Sequence, residues 1–355
     1  MAAEKGRGAT LNGESRRFDL PERIADGDWL DALAEVDGAP PRRRTEVTVE
    51  RPRTIISRNN SPDIAFNQSI NAYRGCEHGC IYCFARPTHA YHDLSPGLDF
   101  ETRLFAKPDA AELLRKELCS KAHKVSPIAM GTNTDPYQPI ERDWKITRQC
   151  LEILWEYRHP VYITTKSDRI VRDIDLLVSM ARERLVAVMI SVTSLDPATA
   201  RTLEPRAPHP LRRVEAIRLL SQAGVPVVAS ISPVIPAITD HEIESIVARV
   251  SSAGAQDVSY IPVRLPHEVA PLFRAWLEEH YPDRAAKVMA IIRDIRGGRD
   301  NDPNFGSRMR GQGVWADLIR ARFQKARKRA GFTGERVTLR TDLFRRPEGA
   351  QMSLF

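Results

Sequence analysis

From residue 69 onward the chain repeats one pattern: a short apolar run, a helical stretch, then another apolar run roughly 30 residues later, the size of a βαβ unit. The runs are 69–73, 128–131, 161–165, 186–192, 225–231 and 258–263, and helices are predicted over 109–122, 147–157, 169–181, 211–223 and 241–252. Gly224 follows the fourth helix, where a glycine supplies a left-handed stop. Strands connected through helices run parallel, since an antiparallel pair needs only a tight turn. The expectation is an α/β chain whose strands curl into a partial (β/α)6 TIM-like barrel. In such a barrel the functional side chains sit at the C-terminal ends of the strands.

Directly after the first run comes Tyr73-Arg74-Gly75-Cys76-Glu77-His78-Gly79-Cys80-Ile81-Tyr82-Cys83-Phe84-Ala85-Arg86, which holds three of the five cysteines. Three thiolates within eight residues share one partner. An odd cysteine count in a chain of 355 residues, long enough to bury a core unaided, argues against a disulfide framework. Two readings stay open at this point. Cys76, Cys80 and Cys83 with His78 can complete a tetrahedral zinc site. Alternatively the three cysteines hold a [4Fe-4S] cluster and leave one iron open to bind substrate or cofactor.

The other cysteines carry a different signal. Cys119 and Cys150 fall in predicted helices, and Cys150 shares a face with Ile146, Ile153, Leu154 and Tyr157, the spacing of a buried stripe. Apart from His78 beside the cysteines, the histidines show no metal-ligand spacing, and His209, His241 and His267 near helix starts read as structural.

Composition is 42% hydrophobic and 28% charged with net charge +7, which excludes a membrane-embedded chain because no apolar run approaches the ~20 residues of a span. With a polar start lacking a signal-like apolar region, the expected location is cytoplasmic, reducing and suited to iron–sulfur chemistry. Residues 1–55 are expected to be a mostly mobile extension, 56–270 the barrel, 271–347 a basic helical segment and 348–355 a mobile tail. Residues 284–347 carry 17 Lys or Arg against 6 Asp or Glu. A helix predicted over 315–330 places Trp315, Leu318, Ile319 and Phe323 on one side and ends in Arg327, Lys328 and Arg329, which can track phosphates; a solvated helix docked on the barrel is the plainer alternative.

The spacing Cys-x3-Cys-x2-Cys, with Tyr82 before the last cysteine, resembles the signature of radical S-adenosylmethionine (SAM) enzymes. The resemblance implies a [4Fe-4S] cluster on Cys76, Cys80 and Cys83, SAM chelated to the open iron, adenine against the backbone around Tyr82, and a low-potential electron donor such as flavodoxin or ferredoxin. It gives candidate SAM contacts at the strand tips: Lys166 for the carboxylate, the Ser191 hydroxyl, Arg206 on its proline-flanked loop, and Val234 against adenine. Each has a bland counterpart, Arg206 a surface pair with Glu204 and Val234 barrel packing. The polar tip Thr132-Asn133-Thr134-Asp135 serves either contacts or turn geometry.

These blocks, together with Arg296-Gly297-Gly298, Asn301-Asp302 and Phe305-Gly306-Ser307-Arg308-Met309, resemble the branch related to spore photoproduct lyase, and more closely its uncharacterised bacterial members. That branch implies a DNA substrate. One departure stands out: where the lyase proper carries a hydrogen-donating cysteine, this chain has Thr132. The last five residues resemble the peptide that docks bacterial proteins on the DNA sliding clamp, with Gln351, Met352, Leu354 and Phe355 as anchors. RNA or a small metabolite as substrate, and a non-catalytic iron–sulfur nucleic-acid binder or redox sensor, are the alternatives.

Overall fold

The computed structural model describes residues 6–13, 15, 17, 44–335 and 337–346. Its strands are β1 (Glu46–Val49), β2 (Ile56–Arg58), β3 (Gln68–Ile70), β4 (Tyr73–Arg74), β5 (Arg103–Ala106), β6 (Ile128–Met130), β7 (Val161–Thr165), β8 (Val186–Ser191), β9 (Val227–Val234) and β10 (Asp257–Pro262). The longer helices are α1 (Ala110–Cys119), α2 (Ile146–Glu156), α3 (Ile174–Arg182), α4 (Pro210–Gln222), α5 (Ile243–Ser252), α6 (Val269–His280), α7 (Pro282–Ile295) and α8 (Gly313–Arg329).

The main sheet runs β10-β9-β8-β7-β6-β3-β2, parallel throughout except for β2, which lies antiparallel on β3. Successive parallel strands are spatial neighbours, each reached through a helix, so the sheet winds in one direction. Its two edges, β10 and β2, do not pair, and the result is a partial, open TIM-like barrel. β8 is buried at five of its six positions because helices cover one face and the barrel interior the other. Cys150 lies fully buried on α2 beside Ile146, Leu151 and Leu154, as its stripe predicts. α4 starts with proline at its first turn, is capped by His209 Nδ1 accepting from the Leu211 amide at 3.2 Å, and is followed by Gly224 at φ +84°.

Three parts of the fold depart from expectation. The first predicted strand breaks: β3 stays in the barrel, while β4 crosses to a second sheet ordered β1-β5-β4. Residues 46–49, expected within the mobile extension, are therefore β1, paired parallel to β5. Residues 6–13 are also packed, with Ala9 only 1% exposed. On α8 the buried positions are Ala316, Ile319, Phe323 and Ala326, whereas Trp315 and Leu318 face outward. α8 docks on α5 and α7.

A second apolar core joins α6 and α7 to Ile81, Tyr82 and Leu203, so the C-terminal helices anchor the cysteine loop. The chain then runs back along the N-terminal end of the barrel strands, where the Arg340 amide donates to Arg184 O at 2.9 Å and the Arg345 amide to Tyr157 O at 3.0 Å. The clamp-like residues Gln351, Met352, Leu354 and Phe355 lie outside the described residues. Among the described residues no helix is long and apolar enough to cross a membrane.

Candidate active site

The cysteine loop leaves β4 at the barrel mouth and is held on every side. Turns within it carry Gly79 N–H to Cys76 O at 3.2 Å and Cys83 N–H to Cys80 O at 3.1 Å, while Ile81 N–H reaches Leu203 O at 3.0 Å. Gly79 sits at φ +66°, and a Cβ there would stand 2.6 Å from Glu101 Oε2, so only glycine fits. Arg86, fully enclosed, donates to Cys80 O at 2.9 Å, Gly79 O at 3.0 Å and Gly97 O at 2.8 Å, and pairs with Glu101 at 2.5 Å. Glu101 in turn accepts from the Gly8 and Ala9 amides at 2.9 and 2.8 Å, which fastens the N-terminal segment to the loop.

Cys76 and Cys80 are buried, Cys83 is partly exposed, and all three are free thiols. Burial pushes the Cys76 thiol well above its ordinary value, reinforced by Asp135, Cys80 and Cys83. Burial also pushes Cys80 up to about 12, against the pull of Lys166. Two thiols as desolvated as Cys76 and Cys80 ionise only when a cationic centre takes their charge, and an iron cluster, with Lys166 and Arg213 beside Cys80, would supply it. The residues therefore fit a [4Fe-4S] cluster. They do not fit the zinc alternative: His78 Nδ1 lies 3.3 Å from Asp135 Oδ2, and among the described residues no three His, Cys, Asp or Glu side chains converge on one ion position. A cubane asks for thiolates on three separate irons rather than on one point.

Asp135, at the polar tip after β6, links three elements. It accepts from Thr165 Oγ1 at 2.6 Å, from the Lys166 amide at 2.8 Å and from the Tyr137 amide at 2.9 Å. Burial would raise its carboxyl, but His78 and these donors hold it at about 2.

Beyond β7 a second buried network forms. Tyr82 donates its hydroxyl to Glu204, Thr193 Oγ1 donates to the same carboxylate at 2.8 Å, and Arg213 pairs with it. Burial works against the charge of Glu204, yet Arg213 and Lys166 outweigh it and hold the carboxyl at about 2. The Lys166 ammonium stands 5.7 Å from the centroid of the Tyr82 ring. Burial disfavours its charge, but Cys80 and Glu204 more than compensate and raise its pKa. Ser191 is buried, and its carbonyl accepts from Arg213 at 3.4 Å.

The structure thus brings Tyr82, Lys166 and Ser191 together around the Glu204–Arg213 pair. Arg206 also reaches the cysteine loop, but its partner is Glu77 at 2.9 Å, not Glu204, and its amide donates to His78 O at 3.3 Å. Val234 is fully enclosed in the main core. The basic triplet lies elsewhere: Arg327 is bound to Asp257, the first residue of β10, at 3.0 and 3.1 Å, while Lys328 and Arg329 are exposed beside it. β10 is six residues long, and at about 3.3 Å per residue its ends stand roughly 17 Å apart. The triplet therefore belongs to the end of the barrel opposite the cysteines, and one of its three cations is committed to an ion pair.

Arg86, Glu101, Glu77 and Arg213 were not among the sequence candidates. Glu77, directly after Cys76, and Arg86, three residues after Cys83, had a signal in their place on the cysteine segment. The partners of the others are revealed only by the fold.

Known proteins resemble this chain to differing extents. An uncharacterised protein of Mycobacterium tuberculosis is 33% identical over 236 residues, covering 66% of this chain and 69% of that protein. An uncharacterised protein of Methanocaldococcus jannaschii is 27% identical over 215 residues, covering 60% of this chain and 76% of the other. The solved spore photoproduct lyase complexed with dinucleoside spore photoproduct has a TM-score of 0.48 at 15% identity, covering 66% of this chain and 66% of the lyase, just under two thirds of its length. Residues 70–250 match the Radical SAM superfamily. The chain belongs to the Radical SAM superfamily, whose members use a [4Fe-4S] cluster and S-adenosylmethionine.

Proposed function

We propose that Cys76, Cys80 and Cys83 hold the cluster, that SAM binds beside them, and that the reaction is directed at nucleic acid, with DNA bearing a damaged or modified base as the substrate class. When bound, the cluster supplies the electron that splits SAM into methionine and a 5′-deoxyadenosyl radical able to abstract hydrogen. The observation that carries this reading is the cysteine loop, clamped at the barrel mouth by Arg86 and Glu101 and flanked by the Tyr82–Glu204–Arg213 network.

In this reading the Lys166 ammonium neutralises the SAM carboxylate as a point charge. The backbone around Tyr82 meets the adenine, and its ring is held still by Glu204. Ser191 and Arg206 flank the same mouth. Thr132 exchanges hydrogen bonds with Asn71, at 3.1 Å from Nδ2. A threonine hydroxyl is a poor hydrogen-atom donor, so the fate of the substrate radical differs from a route ending on a cysteine. The nucleic-acid part rests on the excess of cations over residues 284–347. A low-potential electron donor and, through the last five residues, the DNA sliding clamp are the proposed partners.

The test is anaerobic incubation of reconstituted protein with SAM, a reductant and oligonucleotides carrying ultraviolet lesions or modified bases, with undamaged DNA and RNA as controls. A mass change confined to a DNA lesion, formed together with 5′-deoxyadenosine, is the expected result. Turnover of SAM that alters RNA alone, or no oligonucleotide at all, sinks the DNA assignment.

A further inference from the structure

Between the two sheets, beside the cysteine loop, lies a cavity of about 290 Å³ lined by Arg53, Arg74, Lys107, Asn71 and Asn133 among others. Its lining includes three cations and, among the described residues, no carboxylate. Arg74 is already matched by Glu50, which accepts from Nε at 2.6 Å and from the second guanidinium nitrogen at 2.7 Å. Arg53 stands exposed. Lys107 is only 7% exposed and donates to Asn71 O at 3.0 Å. An ammonium has three donors, so two are left for an occupant of the cavity. Lys107 shares the Glu50 carboxylate with Arg74, which binds both of its oxygens, so this desolvated pair of cations is incompletely balanced and an anion entering here lowers the cost.

The cavity adjoins the chemistry. Arg74 stands two residues before Cys76 in the chain. Asn133 donates its amide to Asn71 Oδ1 at 2.9 Å and extends its side chain to Thr88 Oγ1, 3.5 Å away, on the 3-10 helix that follows the cysteines. Lys328 and Arg329 are at the other end of the barrel, and Arg206 and Arg213 at the mouth are paired with Glu77 and Glu204, so the cations of this cavity are placed to meet an anionic substrate whose reacting part reaches the mouth.

We propose that this cavity binds a phosphoryl group of the substrate and so fixes the rest of that molecule beside the cysteine loop. That the phosphoryl group is a nucleic-acid phosphodiester rests on the reading given under Proposed function; a nucleotide or pyrophosphate-bearing metabolite offers the same chemistry. Burial and the neighbouring Arg74 bring Lys107 down to about 8, with Glu50 opposing them. His92, with Asp93 next to it, also lies close to this set. A lysine so placed is cationic below that pH and neutral above it, so anion affinity falls as pH rises through about 8.

The experiment is calorimetric titration of the full-length protein with inorganic pyrophosphate and, separately, with a short single-stranded oligodeoxynucleotide, using wild type, Lys107→Gln and Arg53→Gln. The expected result is saturable binding of both probes, weakened about tenfold in each variant. Thermal melts accompany the titrations, and should Lys107→Gln fail to fold, the exposed Arg53→Gln decides. If pyrophosphate binds and responds to the variants while the oligonucleotide does not bind, the phosphoryl site stands and the nucleic-acid reading falls. If the oligonucleotide binds wild type and variants equally and pyrophosphate binding does not change, the cavity proposal is overturned while the nucleic-acid reading survives.

Discussion

Arg86 and Glu101 meet at 2.5 Å with both side chains wholly enclosed, and through this pair the carbonyls of Gly79 and Cys80 are tied to the amides of Gly8 and Ala9. Deleting one partner of a buried pair leaves the other charge stranded, which costs about 3–5 kcal/mol. Arg86→Gln is therefore expected to lower the melting temperature and to lose iron after anaerobic reconstitution. Arg86→Lys, which keeps the charge but not the fork of donors, is expected to fall between the two. Wild-type melting and iron content in Arg86→Gln would show that the pair does not hold the loop.

The Glu204 network carries a pH signature. Its carboxyl is held down from 4.5 to about 2 in the fold. A group depressed in this way adds stability above its unfolded pKa, and that stability is lost as pH falls toward the folded value. Melting curves of the protein between pH 6 and pH 2.5 are expected to decline more steeply for wild type than for Glu204→Gln, which starts from a lower melting temperature because Arg213 loses its partner. Parallel curves would mean that Glu204 contributes no such linkage.

Local pattern foretold the barrel strands and their helices well, because parallel strands buried on both faces read as apolar runs and the helices between them show their own stripe. The cysteine loop was legible for the same reason: its three thiols lie within one short segment. What stayed hidden depends on distant partners. Arg86–Glu101, Glu77–Arg206 and Glu204–Arg213 join residues that no local periodicity connects. β1 has only four residues, one of them better than half-way to burial, and β4 only two, so neither offers a pattern to read. The Arg327 to Arg329 block looked uniform in sequence, yet Arg327 is paired with Asp257 and the other two are not.

That difference sets the third prediction. If Lys328 and Arg329 track the phosphate backbone away from the mouth, changing both to Ala weakens binding of duplex DNA and flattens the dependence of log affinity on log salt by roughly 1.8. Arg327→Ala is expected instead to act on stability, by about 1 kcal/mol or less for a pair that is partly exposed. Filter binding over a series of salt concentrations measures the first and thermal melts the second. An unchanged salt slope in the double variant would move the DNA surface elsewhere.

The described chain ends its course at the N-terminal end of the barrel strands, where Arg346 donates to Leu118 O at 3.3 Å and Ser120 O at 3.0 Å. A partner engaged by Gln351, Met352, Leu354 and Phe355 can therefore be held from a stem that starts opposite the cysteine loop. A peptide of residues 346–355 is expected to bind a bacterial sliding clamp near micromolar, or ~8 kcal/mol. Removing residues 351–355 is expected to abolish clamp binding by the full-length protein and to leave its iron content as it was. Equal affinity of the truncated and complete chains would rule the docking peptide out.

The most direct test of the account is the yield of 5′-deoxyadenosine from SAM under reducing, anaerobic conditions, measured by chromatography together with iron, sulfide and the electron paramagnetic resonance spectrum, for wild type and Cys80→Ala. Wild type is predicted to hold four irons per chain in a [4Fe-4S] cluster on three cysteines and to form 5′-deoxyadenosine, and Cys80→Ala to lose both. Reconstituted wild-type protein that retains only zinc, or that carries the cluster without cleaving SAM, would contradict it.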